Sequence, residues 1–318
     1  MEFKVNVSIL MATFNGEKYL EAQLDSILCQ SYENFKLYIS DDGSKDNTLE
    51  ILKKYAEKDS RISLLCNHEP NKSSCRNFLY LLENVISDVY LFSDQDDVWE
   101  KNHVEKLVSE YCKCSEQAKA LPVLVHGDLK VVNENLTVIS DSALDYMNLP
   151  RNPKYSHFYF VQNNVTGCVS LINNELKKYV YLNKQFLMEN MDVIPMHDNF
   201  FSTIASEFGK IIFINESLEL YRQHDFNVLG AQNSKNLFRL IKKMLGFSNI
   251  KMELYRGINY TKFFVEYFHE QFDEKERLVL QEFSNIKSKN KIQRIKFIKK
   301  NEFLKYGLLR KLMYILFI

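Results

Sequence analysis

Three carboxylates stand within four positions at Asp94, Asp96 and Asp97, directly after the apolar run Val89-Tyr90-Leu91-Phe92. Adjacent acids repel one another and need a compensating partner. Hard oxygen ligands at Asp94 and Asp96 suit Mg²⁺ or Mn²⁺, ions that in turn carry phosphate oxygens. The plainer alternative is a solvated acidic turn at the head of the helix that follows. Other polar residues recur in the same kind of place, after an apolar run: Thr13 and Asn15, then Asp41 and Asp42, then Asp128. A sheet that binds ligand at the carboxyl ends of its strands needs this arrangement. Each group alone would be weak; their convergence carries the reading.

The elements that must position these residues alternate. Val5–Met11, Phe35–Ser40, Ile62–Cys66 and Val89–Phe92 read as strands. Between them lie helical patterns: Leu20, Leu24, Ile27 and Leu28 on one face, Leu49, Leu52, Tyr55 and Ala56 on another, and a third helix with Arg76, Asn77, Phe78 and Leu81 after the loop Asn67–Ser74. The β-α-β-α order predicts an α/β fold, a parallel sheet with helices on both faces. Farther on, Val123–Asp128 reads as a strand, Met196-His197-Asp198-Asn199 opens a helix with Phe201, Ile204, Ala205 and Phe208 inward, and Ile211–Ile214 reads as a short strand. No G-x-G-x-x-G or G-x-x-x-x-G-K-[ST] occurs, so a metal rather than a glycine loop is expected to hold phosphate.

Six cysteines show no paired C-x-x-C spacing, which fits a reduced, cytoplasmic protein. No stretch reads as a secretory leader or as an apolar span of the ~18 residues a bilayer requires. The net charge of zero hides an asymmetry: residues 235–318 hold 19 Lys/Arg against 8 Asp/Glu. That shift suggests a boundary near Gln232-Asn233-Ser234. From Lys287 to Ile318, ten Lys/Arg and one acid interleave with apolar residues, the pattern of a basic amphipathic helix. Two readings stand for it: docking on an anionic membrane surface, or a helical cap on the catalytic domain. Nucleic acid is not an expected partner, because no base-reading module accompanies the charge.

Met11-Ala12-Thr13-Phe14-Asn15, Ser40-Asp41-Asp42-Gly43-Ser44, Arg76-Asn77, Ser93-Asp94-Gln95-Asp96-Asp97, Met196-His197-Asp198 and Tyr221-Arg222-Gln223-His224 together resemble a family 2 glycosyltransferase. Ser-Asp-Gln-Asp-Asp-Val-Trp, with the later Tyr-Arg-Gln-His and Asn227-Val228, is similar to the rhamnosyltransferase-like branch from bacterial polysaccharide clusters. The resemblance implies a GT-A nucleotide-diphospho-sugar fold, a mainly parallel sheet flanked by helices, over residues 1–232, and a basic helical region over 233–318. It implies inverting, Mg²⁺- or Mn²⁺-dependent sugar transfer from a dTDP- or UDP-linked donor, L-rhamnose or else a hexose or N-acetylhexosamine, to a lipid-linked saccharide. Such an enzyme would lie in the cytoplasm at the inner face of the cell membrane. Two departures limit the match. Arg222-Gln223-His224 stands in place of the Q-x-x-R-W of processive polymerases, and His197-Asp198 in place of the commoner Glu-Asp.

By the same resemblance, Asp96 binds the metal and Asp94 the ribose or the metal. Asp97 is a neighbour of that metal or a helix N-cap. Asp41 accepts the N3–H of uracil or thymine, with Thr13, Asn15 and Asp42 around it; the alternative is a turn acid. Arg76 faces the diphosphate or the base, or else makes a surface ion pair. Arg222 and His224 close over the diphosphate. Asn163, Asn164, Thr166, Gly167 and His197 line the acceptor side. Asp198 is the general base or an N-cap, and the helix N-terminus is expected to favour its charged form. Two other classes compete. A nucleotidyltransferase needs a Gly-rich loop with Arg and Lys after the first strand, which Thr13-Phe14-Asn15-Gly16-Glu17 does not offer. A non-catalytic binding protein would have no need of Asp96 and Asp198.

Overall fold

The computed structural model of the chain describes residues 5–66, 73–224 and 247–318. The expected division at 232/233, most of the loop Asn67–Ser74 and the Asn227-Val228 pair lie outside the described residues. The first four strands are β1 (Val7–Thr13), β2 (Phe35–Asp41), β3 (Ile62–Leu65) and β4 (Val89–Ser93), linked by helices α1 (Leu20–Leu28), α2 (Thr48–Lys58) and α3 (Ser74–Asn84). They pair in parallel in the order β3-β2-β1-β4. Side chains alternate across a strand, so each strand feeds two cores. Ile9 and Met11 pack with α1 and α2, while Leu10 joins α3 on the opposite face. One expected core residue does not comply: Leu49 is exposed and Leu52 carries the α2 contact.

The second half supplies β5 (Val98–Trp99), α4 (His103–Cys112), α5 (Glu116–Lys119), β6 (Val123–Val132), β7 (Val138–Ser140), α6 (Ala143–Met147), β8 (Ser170–Asn173), α7 (Asn174–Val180), α8 (Lys184–Glu189), α9 (His197–Phe208) and β9 (Lys210–Arg222). Here the pairing turns mixed. β8 runs antiparallel between β4 and β6, and β9 lies parallel to β6 and antiparallel to β5. The strand expected over Ile211–Ile214 is 13 residues long. Its middle carries exposed Asn215 and Glu216, and its register against β6 shifts near Asp128, which breaks the alternation a sequence reading relies on. Length matters here, because β9 carries the chain from the end of α9 back to the acid-bearing loop after β4.

Among the described residues that follow are four helices, α10 (Phe247–Tyr267), α11 (Glu274–Ser284), α12 (Lys291–Lys300) and α13 (Leu308–Phe317). The single amphipathic helix expected over Lys287–Ile318 is two helices, broken where Glu302 and Gly307 take left-handed φ of 57° and 87°. Phe297, Ile298, Phe303, Tyr314 and Ile318 belong to the same apolar cluster as Leu10, Phe92 and Phe200. The inner side of the basic tail is therefore part of the same core as the sheet and α9. Phe303 lies fully buried, stacked 4.0 Å from Phe283 and 4.2 Å from His157. His157 in turn reaches Glu276 at 2.5 Å and the Asn301 carbonyl at 2.5 Å, a polar pin through this apolar seam. Emptying that position is expected to lower unfolding free energy by about 3–5 kcal/mol for Phe303→Ala. Leu312→Ser, on the exposed side of α13, is expected to change it by less than about 0.5 kcal/mol. Urea midpoints of the two variants beside the parent chain measure both.

Candidate functional site

In-register pairing of Thr13 with Asp41 and of Met11 with Ser93 brings the carboxyl ends of β1, β2 and β4 to one edge. Thr13 Oγ1 donates to Asp41 Oδ2 at 2.9 Å, and Ser44 Oγ donates to the same oxygen. Asp41 Oδ1 accepts the backbone N–H groups of Gly43 and Ser44. A carboxylate has about four lone-pair positions, and all four of these are filled from within the chain. Asp41 thus shapes the turn after β2. Asn15, at φ 47°, is held by Ser44 Oγ on its N–H and caps the Lys45 N–H with its side chain. Asp42 is buried and accepts the Ser73 N–H at 2.7 Å, tying β2 to the start of α3. Arg76 lies 3.6 Å from the exposed Asp192, the surface-pair alternative.

The acid loop is pinned from several sides. Gln95 exchanges two hydrogen bonds with the Phe14 backbone, at 2.8 and 2.9 Å. The buried Gln23 amide donates to the Asp97 carbonyl and accepts from Ser93 Oγ. Asp97 Oδ1 accepts the Arg222 N–H at 2.8 Å, across 125 residues of sequence. Arg222 Nε donates to the Asp96 carbonyl at 2.7 Å, its NH1 to the Glu134 carbonyl at 2.6 Å, and its guanidinium lies 4.5 Å from the Tyr19 ring centroid. The expected closing arginine is thus also a strut beneath the acid loop. His224 Nε2 sits 2.7 Å from Asp96 Oδ2, with both side chains largely buried. The contact is a hydrogen bond, and the Asp96 carboxylate is the hard oxygen donor that Mn²⁺ or Mg²⁺ takes.

Behind Asp97 lies a residue that the sequence reading missed. Glu219 is fully buried at 0% exposure and faces Asp97 and Cys168. Burial, then the Asp97 charge, pushes the Glu219 carboxyl well above the usual range. Burial and the adjacent Asp96 lift Asp97 to about 7. Asp94, Asp97 and Cys168 bring ligand atoms within 4.8 Å of one another, and burial raises the Cys168 thiol well above its usual value. Burial raises Asp94 well above its ordinary value too, followed by the charges of Asp96, Asp97 and Asp198. Crowded carboxyls with raised pKa values are the electrostatic mark of a place built to receive a cation. The only sequence hint of Glu219 is an acid at a strand position between Leu218 and Leu220.

Asp198 occupies the second position of α9, whose N-cap is Met196, so the N-cap alternative does not hold. Its Oδ2 accepts the Gly167 N–H at 3.2 Å. Burial pushes its carboxyl up to about 7, against the smaller pull of the Asn199 and Gly167 N–H groups. Desolvation therefore outweighs the helix N-terminus that was expected to keep it charged. A Cβ at Gly167 would stand 2.5 Å from His197 Nε2, which is why the turn needs glycine. His197 itself is packed among Phe78, Phe92 and Phe201, neither ring nitrogen has a hydrogen-bond partner, and burial lowers its pKa to about 3. It is a packing residue, not an acceptor-side group or a reserve base. Asn163 and Asn164 spend their side-chain donors on the carbonyls of Val165, Pro150 and Arg151, so they build the loop 162–167. Thr166 is the N-cap of the short helix that begins at Gly167, without a side-chain cap bond.

Comparisons with known proteins place the chain among relatives. Residues 8–165 match the model of Glycosyl transferase family 2. The chain is 29% identical over 245 residues to the dTDP-rhamnosyl transferase RfbG of Shigella flexneri, covering 74% of this chain and 78% of the relative. It is 30% identical over 150 residues to the UDP-Glc:alpha-D-GlcNAc-diphosphoundecaprenol beta-1,3-glucosyltransferase WfgD of Escherichia coli, 46% of this chain and 55% of that one. Among solved structures, S. aureus TarS 1-349 matches with TM-score 0.52 at 15% identity, covering 98% of this chain and 78% of that one. The mannosyltransferase PcManGT of Pyrobaculum calidifontis, solved with GDP-Man and Mn2+, matches with TM-score 0.53 at 12% identity, covering 94% and 74%.

The Asp198 environment makes a stability prediction. Its folded pKa of about 7 lies above the ordinary 3.8, so the folded chain binds this proton more tightly than the unfolded chain does. The stability it lends is complete below the ordinary value and is lost as pH rises toward about 7. Asp198→Asn, neutral throughout, should raise the Tm at pH 8 by at least about 2 °C and leave it unchanged at pH 4. Thermal melts at the two pH values check this.

Proposed function

Because the chain belongs to glycosyltransferase family 2 and has its GT-A fold, we propose that it transfers L-rhamnose from dTDP-rhamnose, with inversion, to a lipid-linked saccharide of a surface polysaccharide. The observation that carries a nucleotide-diphosphate donor is the Asp96–His224 contact among crowded acids at the strand ends. Similarity to the dTDP-rhamnosyl transferase along most of both chains supports the rhamnose donor. Similarity to a UDP-glucose transferase acting on a diphosphoundecaprenol-linked sugar supports the lipid-linked acceptor, and makes a UDP-hexose the second reading of the donor.

The residues divide the work as follows. Asp96 and His224, with Asp94 beside them, would hold Mg²⁺ or Mn²⁺, which when bound supplies Lewis-acid stabilisation of the departing diphosphate. The Mn²⁺ bound by the mannosyltransferase of similar fold is in keeping with this. Thr13, Asn15, Asp41 and Asp42 shape the pocket for the nucleoside. Arg222 and Asp97 fix where Asp96 points. Asp198 takes the proton of the acceptor hydroxyl as that oxygen attacks the anomeric carbon. A base with its pKa near neutrality both abstracts the proton and avoids being fully protonated at working pH. With dTDP-rhamnose, Mn²⁺ and phenoxyundecyl diphosphate-linked GlcNAc, Asp96→Asn should abolish transfer and metal-dependent donor affinity. Asp198→Asn should lower kcat by about 10²–10⁴ with donor affinity retained. The parent kcat should fall as pH drops below about 7, as Asp198 becomes protonated. Near-normal transfer by Asp96→Asn would sink the metal assignment.

We propose further that the outer side of the tail rests on an anionic membrane. No helix among the described residues is long and apolar enough to cross one. Leu308, Leu312 and Leu316, four residues apart, are 77%, 54% and 59% exposed, so α13 presents an apolar stripe outward. Lys291 Nζ donates to the Leu316 carbonyl, which brings exposed Ile292 alongside, and Lys296, Lys299, Lys300 and Lys311 are exposed on the same two helices. Apolar insertion plus cationic attraction is the physics of an interfacial helix. The triple variant Leu308→Ser, Leu312→Ser, Leu316→Ser should keep its fold and lose binding to phosphatidylglycerol vesicles. Parent binding should weaken with salt. Equal binding to phosphatidylcholine vesicles would count against the proposal.

A further inference from the structure

A groove of about 300 Å³ opens between the segment 144–151 and Tyr306 of the tail. Its volume is at the lower end of small-molecule sites, the size class of one sugar ring. Tyr306 is 47% exposed and offers a ring face. Arg151 meets Asp145 in a two-pronged ion pair at 2.8 and 2.9 Å, and its Nε donates to Asn215 at 3.1 Å, so the planar polar edge of the groove is fixed in advance. Asn148 adds a further polar group. An aromatic face beside rigid planar donors and acceptors suits a pyranose, whose C–H face packs on a ring while its hydroxyls bond in pairs. A charged phosphate would meet Asp145 here, and a lipid chain would find too few apolar walls.

The walls are tied to the candidate base. Asn164 donates to the carbonyls of Pro150 and Arg151 at 2.8 and 3.1 Å, and the Tyr306 N–H donates to Gln162 Oε1 at 2.7 Å. A few residues along the same loop, the Gly167 N–H meets Asp198. Arg310 closes the far side by donating to the carbonyls of Met147 and Asn148, both at 2.7 Å. Both walls and the base thus hang from the loop 162–167. We infer that this groove is a subsite for a second sugar ring of the acceptor, apart from the ring that is glycosylated. The inference rests on the glycosyltransferase reading, and extends it to how the acceptor is held.

The test uses the full chain and saturation-transfer NMR with trirhamnose, maltotriose and chitotriose, alongside dTDP binding measured separately. At least one trisaccharide should receive saturation from the parent chain. Tyr306→Ala, at an exposed position that the fold does not depend on, should weaken that Kd about three- to ten-fold, while Tyr306→Phe keeps it. Binding of dTDP should be the same in all three. Saturation of none of the trisaccharides, or the same Kd in Tyr306→Ala as in the parent, overturns the subsite. If dTDP binds and no trisaccharide does, the subsite fails and the donor reading stands. If a trisaccharide binds through Tyr306 and dTDP does not, the donor reading fails and the groove stands.

Discussion

The site depends on one hydrogen bond, from the Arg222 N–H to the buried carboxylate of Asp97. It joins the end of β9 to the loop after β4 and, with the Arg222 side chain on the Asp96 carbonyl, sets Arg222 and His224 beside Asp96. A hydrogen bond to a charged group contributes about 1.5–3 kcal/mol, roughly twice a neutral one. Here the charge is buried, and so the bond alone does not explain why Asp97 is tolerated. Glu219 supplies the rest of the account. Two carboxyls side by side in an apolar setting resist ionising together, and burial with the Asp97 charge raises Glu219 well above its ordinary value. The Arg222 N–H is aimed at the Asp97 member of this pair.

From that clamp the remaining contacts follow in order. Arg222 braces the Asp96 carbonyl and stacks on Tyr19, and the Tyr19 ring lies 4.9 Å from His224. Gln95 fastens the same loop to the turn after β1, so the acid loop, the β1 turn and the β9 end form one rigid assembly. Preorganisation of this kind is what electrostatic catalysis requires, because side chains that must reorient during the reaction forfeit much of their effect. The cost is a set of carboxyls held above their ordinary pKa, each of which weakens the fold at neutral pH.

What could be read in the sequence was whatever imposes a period or a local signature. The first four strands are short apolar or alternating runs closed by polar residues, and α9 announces itself by its apolar spacing after Met196. Asp94, Asp96 and Asp198 stand out because acids at the ends of apolar runs are unusual. Three things were not legible, each for a physical reason. Glu219 looks like a solvent-facing strand residue, since nothing local says that its neighbour in space is Asp97. The saturation of Asp41 depends on the rotamers of Thr13 and Ser44, which one-dimensional pattern does not encode. The tail's apolar residues satisfy a protein core and a membrane equally well, so periodicity alone could not divide them between Phe303 inside and Leu312 outside.

That division has a consequence for how the chain works as one body. Phe303 and Tyr314 sit in the core that also holds Phe92 and Phe200, whereas Leu308, Leu312 and Leu316 face outward from the same segment. Tyr306, between these two groups, lines the groove and is bonded to the loop that carries Gly167. A cap joined only by surface ion pairs could shift relative to the sheet, since such pairs contribute little. A cap whose inner residues are close-packed cannot shift without opening cavities, at several kcal/mol each. The orientation of the outer leucines is therefore set by the same packing that sets the groove and the base, and whatever surface the leucines meet is presented to Asp198 at a fixed angle.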